Sequence, residues 1–294
     1  MAIKIYADAG SNLFKQVLEN RNADIKVINM HLTVGDHEYN CYDDPIDVED
    51  FSKIFYKYLE DPNIDVHTTL INPNDYLALF EKEVAEGNQV ICFTMAKGIS
   101  GTYNSAVVAA QEVNAAAGKE MVHIINTATA GLGEGRQALK AYELVQQGKS
   151  FEQIIEFANQ YRWRVRSEFT VDSVSFLART GRVSALVGKV ADALRIKAML
   201  KGSNQSNIVS DGNVHGRKMA LKTLATKCLK KIVKPENQIV YITHCNCLED
   251  AESVKRMLAE GGVTNVEIYH YDFVTGSHVG PGTVAIFYEG LNRD

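Results

Sequence analysis

The sequence predicts an α/β fold with two domains, a parallel-sheet N-terminal domain and an α/β C-terminal domain. Three observations carry that prediction. Short apolar runs alternate with amphipathic segments through the first half of the chain. The segments that follow those runs, at 8–11, 68–69, 96–102 and 127–131, are rich in small and hydroxylic residues. The carboxyl ends of parallel strands are where such sheets form a shared crevice. Near Arg162-Trp163-Arg164-Val165-Arg166 the pattern changes and a second strand-and-helix series begins. The boundary therefore falls near 160, giving domains 1–160 and 161–294. No flexible linker, repeat or low-complexity tract separates them.

Taken in order, residues 3–7 read as an apolar strand ending in Asp8-Ala9-Gly10-Ser11-Asn12, with a helix from Phe14. Residues 26–34 read as one strand, turned back at Gly35-Asp36 toward 37–39. Residues 47–59 are amphipathic, with Val48, Phe51, Ile54, Phe55 and Tyr58 on one helical face. A strand at 65–69, a helix from Asn74 and a buried strand at 89–95 follow. The next helix runs to Ala117 and stops at Gly118, a C-cap residue. A strand at 121–126 and a helix ending at Gly148 complete the first domain. In the second, residues 208–214 read as a hairpin about Asp211-Gly212, and 218–233 and 248–261 as helices. Strands at 239–243, 266–274 and 283–288 complete the pattern.

Composition narrows the function. A net charge of −5 and a pI near 5.9 disfavour general nucleic-acid binding, which wants a basic face. No apolar stretch has the ~18 residues of a membrane span, and the opening residues read as a strand rather than a signal peptide. Five cysteines, an odd number, fit reduced thiols in a cytoplasm. Cys245-Asn246-Cys247 has no second pair to complete a metal site, so neither metal nor cofactor is expected.

The segment Ile99-Ser100-Gly101-Thr102-Tyr103-Asn104-Ser105-Ala106 places hydroxyls and free N–H groups at a helix start. Such a start suits an anionic head group, and Ser100 also suits plain capping. Ser277-His278-Val279-Gly280-Pro281-Gly282 puts a histidine in a turn after a strand, where it can donate to an anion. Ser100 or Ser277 with His278 and Asp8 has the residue types of a serine esterase or thioesterase, but Gly-x-Ser-x-Gly is absent. A small-anion binder is a further alternative. Gly131-Leu132-Gly133-Glu134-Gly135 lacks the spacing and position of a dinucleotide loop. Arg182 and Arg217 stand beside glycines, placed to clamp a phosphate or a partner's carboxylate, or simply solvated.

Six segments in order resemble the DegV family of bacterial lipid-binding proteins: Asp8-Ala9-Gly10-Ser11-Asn12-Leu13, Thr68-Thr69-Leu70-Ile71-Asn72-Pro73, Ser100-Gly101-Thr102-Tyr103-Asn104-Ser105-Ala106, Gly181-Arg182-Val183-Ser184, Leu194-Arg195-Ile196-Lys197, and Ser277-His278-Val279-Gly280-Pro281-Gly282-Thr283-Val284. The resemblance implies a non-enzymatic carrier that holds one long-chain fatty acid in a tunnel between two domains. It implies presentation of the carboxylate to a fatty acid kinase, on the way to phospholipid. By the same resemblance Thr68, Thr69, Lys97, Ser100 and His278 hold the carboxylate, and Arg182 and Arg217 sit at the rim.

The chain departs from the family pattern at the head group. Ala96-Lys97 stands where the family has Ser-Ser, Leu70-Ile71 where it has Gln-Pro, Asn126 where it has Asp and Gly131 where it has Ser. Lys97 either meets the carboxylate as an ion pair, with both charges desolvated, or turns to solvent and leaves the contact to Ser100 or Thr69.

Overall fold

The computed structural model describes residues 2–42, 46–183 and 196–293. The first half consists of β1 (Ile3–Asp8), a 3-10 turn (Ala9–Ser11), α1 (Lys15–Asn20), β2 (Ile25–Ile28), β3 (Leu32–Val34), β4 (His37–Tyr39), α2 (Val48–Glu60) and β5 (Val66–Thr68). It continues with α3 (Pro73–Ala85), β6 (Gln89–Thr94), α4 (Thr102–Ala117), β7 (Val122–Asn126), α5 (Leu132–Gln146) and α6 (Phe151–Tyr161). The second half has β8 (Val165–Thr170), α7 (Ser175–Arg179), β9 (Ile196–Gly202), β10 (Ile208–His215) and α8 (Arg217–Lys231). It ends with β11 (Val240–His244), α9 (Leu248–Glu260), β12 (Val266–His270), α10 (Phe273–Val279) and β13 (Val284–Glu289).

Local chemistry sets the helix ends. Asn72 caps α3 by accepting from Asp75 N, and Pro73 occupies the first turn, where its missing N–H costs nothing. Ser150 and Gln153 form a reciprocal capping box on α6. Gly118 closes α4 in the left-handed conformation, φ 66°. No described helix is long and apolar enough to cross a membrane.

β2, β1, β6 and β7 form a parallel sheet in that order, and β4, β3 and β5 a small antiparallel one. The second half builds a six-stranded mixed sheet, β10-β9-β8-β13-β11-β12. Strand alternation divides the core between the sheet faces. Tyr6, Val90, Cys92 and Val122 face out under α3 and α4. Ile5, Ala7, Ile91 and Phe93 face in, sharing one core with Phe169, Leu200, Ala285 and Phe287 of the mixed sheet. Val284, Ile286 and Tyr288 face out, in the core that includes α8 and α9 residues. Helix α5 contacts β1 and β6 on one side and β8 and β13 on the other, so it lies between the sheets.

Four local expectations change. The run 26–34 is two strands in different sheets, because residues 29–31 bond to other segments: Asn29 Oδ1 accepts from Tyr42 N, and His31 O from Thr69 N. Thr68 thus ends an antiparallel strand, not a strand of the parallel sheet. On α2 the buried stripe is Ser52, Phe55, Tyr56 and Leu59, which leaves Ile54 and Tyr58 exposed. Its Phe51 and Phe55 pack on Phe273, with ring centroids 4.8 and 5.2 Å apart. Asp211-Gly212 is a bulge within the single strand β10. Finally, 266–274 is not one strand. Asn12 donates to His270 O and accepts from Asp272 N, and Asp272 then caps α10. Ser184, Leu194 and Arg195 of the family-like segments lie outside the described residues.

Candidate functional site

The site forms where the loop between β6 and α4 meets the end of β5 and one face of α10. The loop is pinned through its backbone: Met95 N donates to Asp8 Oδ2 (2.8 Å), Ala96 N to Thr129 O (2.7 Å) and Lys97 N to Asn126 Oδ1 (3.2 Å). Ser100 Oγ accepts from Thr102 N (3.2 Å) and donates to Thr102 Oγ1 (3.0 Å), closing the first turn of α4. At Gly98 any side chain would collide with the turn joining β9 and β10. A Cβ there would lie 2.3 Å from Ser206 O.

These elements enclose a cavity of about 380 Å3, within the range of small-molecule sites. Thr68, Thr69, Lys97, Ser100, Arg182 and His278 all line it. The remaining walls come chiefly from Met30, Leu70, Met95, Ile99, Leu177, Ile208, Val274, Thr275 and Val279. Among the described lining residues are two basic side chains, Lys97 and Arg182, and no carboxylate. A second, narrower cavity of about 40 Å3 shares Ile99, Ile208, Thr275 and Val279 with the first and reaches Ala128, Phe169 and Tyr271. One end of the combined space is polar and cationic, and the other is mainly apolar.

His278 lies in the last turn of α10, not in a loop, and its Nε2 shares a hydrogen bond of 3.0 Å with Thr68 Oγ1. Burial, reinforced by the charges of Arg182 and Arg179, pushes its pKa down to about 4, so the imidazole is neutral at pH 7. Its Nδ1 has no hydrogen-bond partner among the described residues. Burial also lowers the pKa of Arg182, whose Nη1 donates to Thr180 O. Lys97 is exposed at the mouth.

Arg217 is placed elsewhere. Its Nε donates to Asp250 Oδ2 (2.8 Å) and its Nη2 to Gly282 O (2.5 Å), tying α8 to α9 and to the turn before β13. It does not line the cavity. The serine-hydrolase constellation is not assembled either: His278 pairs with Thr68, Ser277 Oγ donates to Val274 O, and Asp8 holds the amides of Gly10 and Met95. Gly133 and Gly135 serve close packing, since a Cβ would come within 2.6 Å of Thr129 Oγ1 and 2.5 Å of Ser11 O respectively. None of the five cysteines is in a disulfide, and no metal-binding group occurs among the described residues.

Thr275, Val279, Leu177 and Ile208 are lining residues that sequence reasoning missed. Thr275, His278 and Val279 are spaced i, i+3, i+4, which puts them on one helix face. Reading 273–279 as helix would have found them.

The model of the DegV family, a family of uncharacterised proteins, matches residues 2–290. A DegV domain-containing protein of Clostridium perfringens is 31% identical over 291 residues, covering 99% of this chain and 98% of its own. Among solved structures, a DegV-family protein of Ruminococcus gnavus, determined with vaccenic acid, superposes with a TM-score of 0.84. It is 23% identical, covering 98% of this chain and 99% of that one. The fatty acid kinase (Fak) B3 protein of Streptococcus pneumoniae, loaded with linoleic acid, gives 0.81 at 21% identity, with 98% and 99% coverage. DegV, a fatty acid binding protein of Bacillus subtilis, gives 0.80 at 24% identity, with 99% of each chain covered. The match along nearly the whole length, in sequence and in fold, shows that this chain belongs to the DegV family.

Proposed function

We propose that this protein is a carrier, not itself an enzyme, that binds one long-chain fatty acid and presents its carboxylate to a fatty acid kinase. The observation that supports this most is the cavity's asymmetry. Its lining, among the described residues, has two basic side chains and no carboxylate, it holds the Thr68–His278 pair, and it shares walls with a narrow, mainly apolar cavity. The fatty acids in the R. gnavus and S. pneumoniae structures point the same way.

In this reading the Thr68–His278 pair gives the carboxylate one hydrogen bond, from Thr68 O–H when His278 Nε2–H donates to Thr68 or from Nδ1–H when Thr68 O–H donates to Nε2, with Thr69, Lys97 and Ser100 around it. Arg182 stands at the rim, where a phosphoryl donor approaches. Arg217 takes no direct part. The tail runs between an N-terminal domain, 1–160, and a C-terminal domain, 161–294. Each buried methylene contributes about 0.8 kcal/mol, so a long chain supplies roughly 10 kcal/mol gross before association costs. Polar contacts then need only orient one end. Such a carrier acts in the cytoplasm, where its free cysteines stay reduced.

Mass spectrometry of an organic extract of the purified protein, beside native mass spectrometry of the intact chain, tests the reading. One fatty acid per chain is expected. An empty protein that also refuses added oleate and palmitate overturns it in favour of a small-anion binder.

A further inference from the structure

Three carboxyl groups outside the cavity, Asp8, Glu134 and Asp272, are each 0% exposed. They come from three parts of the chain: the end of β1, the first turn of α5 and the residue before α10. Each aspartate holds one wall of the cavity. Asp8 accepts from Met95 N at the root of the β6–α4 loop (2.8 Å). Asp272 accepts from Thr275 N (2.6 Å) and so caps the helix that carries His278.

Glu134 has both oxygens buried without a hydrogen-bond partner among the described residues, and the Asp8 carboxyl is among the groups that act on it. Two carboxylates buried near one another with no cation between them repel, so one of the two keeps its proton. Of the pair, Asp8 already accepts two backbone N–H groups, from Gly10 and Met95, which favours its ionised form. The proton therefore resides on Glu134.

We propose that Glu134, buried with no hydrogen-bond donor or cation beside it among the described residues, is a neutral, protonated acid, and that Asp8 and Asp272 are positioning residues for the two walls of the head-group site. Burial supports the assignment by pushing all three groups up, Asp8 to about 6, Asp272 to about 7 and Glu134 well above its ordinary range. The titratable groups facing the three, among the described residues, are Tyr42, Tyr56, Tyr76, Tyr271, Cys92 and Cys245. None of these is a cation.

The linkage follows from the sign of the shifts. A carboxyl whose folded pKa is raised favours the fold below its ordinary pKa, and that contribution is lost as pH rises toward the folded value. Glutamine at 134 copies the neutral acid and cannot ionise.

The test compares thermal melting of the wild type, Glu134→Gln, Asp272→Ala and Asp272→Asn at pH 5.5 and 8.5, with oleate affinity alongside. Glu134→Gln is expected to gain on the wild type as pH rises, with a larger offset above it at pH 8.5 than at pH 5.5. Asp272→Ala is expected to weaken oleate binding about tenfold, and Asp272→Asn, which keeps an acceptor for Thr275 N, to restore it. An equal offset of Glu134→Gln from the wild type at both pH values overturns the protonation assignment. Wild-type affinity in Asp272→Ala overturns the positioning role. If Asp272→Ala does not fold, Asp272→Asn decides: affinity as tight as wild type supports the role and a tenfold loss opposes it. Only the affinity readout rests on the carrier reading. Absence of oleate binding in every protein defeats that reading, while the melting curves still decide the carboxyl cluster.

Discussion

Thr68 Oγ1 and His278 Nε2 lie 3.0 Å apart although 210 residues separate them in the chain. One belongs to the small antiparallel sheet of the first half and the other to a helix of the second. Their contact forms part of the polar end of the cavity, so the polar site exists only when both halves are packed.

Replacing either partner weakens ligand binding. A hydrogen bond to a charged group is worth roughly 1.5–3 kcal/mol, so Thr68→Val and His278→Ala should each raise the oleate Kd by about 10- to 100-fold. Displacement of a fluorescent fatty acid measures it. Unchanged affinity in both variants removes the pair from the head-group contact.

The histidine carries a pH signature of its own. Its folded pKa, about 4, is below the ordinary 6.5, so the fold favours the neutral ring. The stability this contributes is full above pH 6.5 and is lost as pH falls toward 4. NMR titration of His278 in ligand-free protein should report a depressed pKa. A bound carboxylate should raise it, because an adjacent anion favours imidazolium. A ring that titrates at 6.5 in both states contradicts this.

Lys97 sits at the mouth and is exposed, so water screens its charge. Lys97→Met should cost at most ~1 kcal/mol of affinity at low salt and less at high salt. Kd values at two ionic strengths separate this from a buried ion pair, whose loss would be large at both.

Arg217→Ala should destabilise the protein without a comparable change in oleate affinity. It leaves Asp250 and Gly282 O without their donor, at a cost of about 1–3 kcal/mol. A lowered Tm with an unchanged Kd is the expected pair of results. A weakened Kd at unchanged Tm would return Arg217 to the ligand's side.

The Thr-Thr, Ser-Gly-Thr and Gly-Pro-Gly segments were legible as site material because their residue types are informative wherever they land. Arg217 resembled them, a basic residue beside a glycine, yet its guanidinium is used by Asp250 and Gly282 O. Nothing in its neighbourhood in the chain announces a partner 33 or 65 residues away. His278 was singled out but placed in a loop, because Asn12 and Asp272 start a helix where the apolar run alone continued a strand.

By itself the sequence determined the alternation of strands and helices, the parallel first sheet and the change of pattern near 160. Hydrophobic period and capping chemistry act over a few residues, so they can be read locally. The tertiary structure alone decided that 26–34 divides between two sheets, that α10 interrupts 266–274, and that Thr68 meets His278. It also decided that Asp8, Glu134 and Asp272 share one dry interior. Those outcomes depend on which distant groups satisfy a backbone amide or a buried charge, and that is set only when the two sheets close on α5.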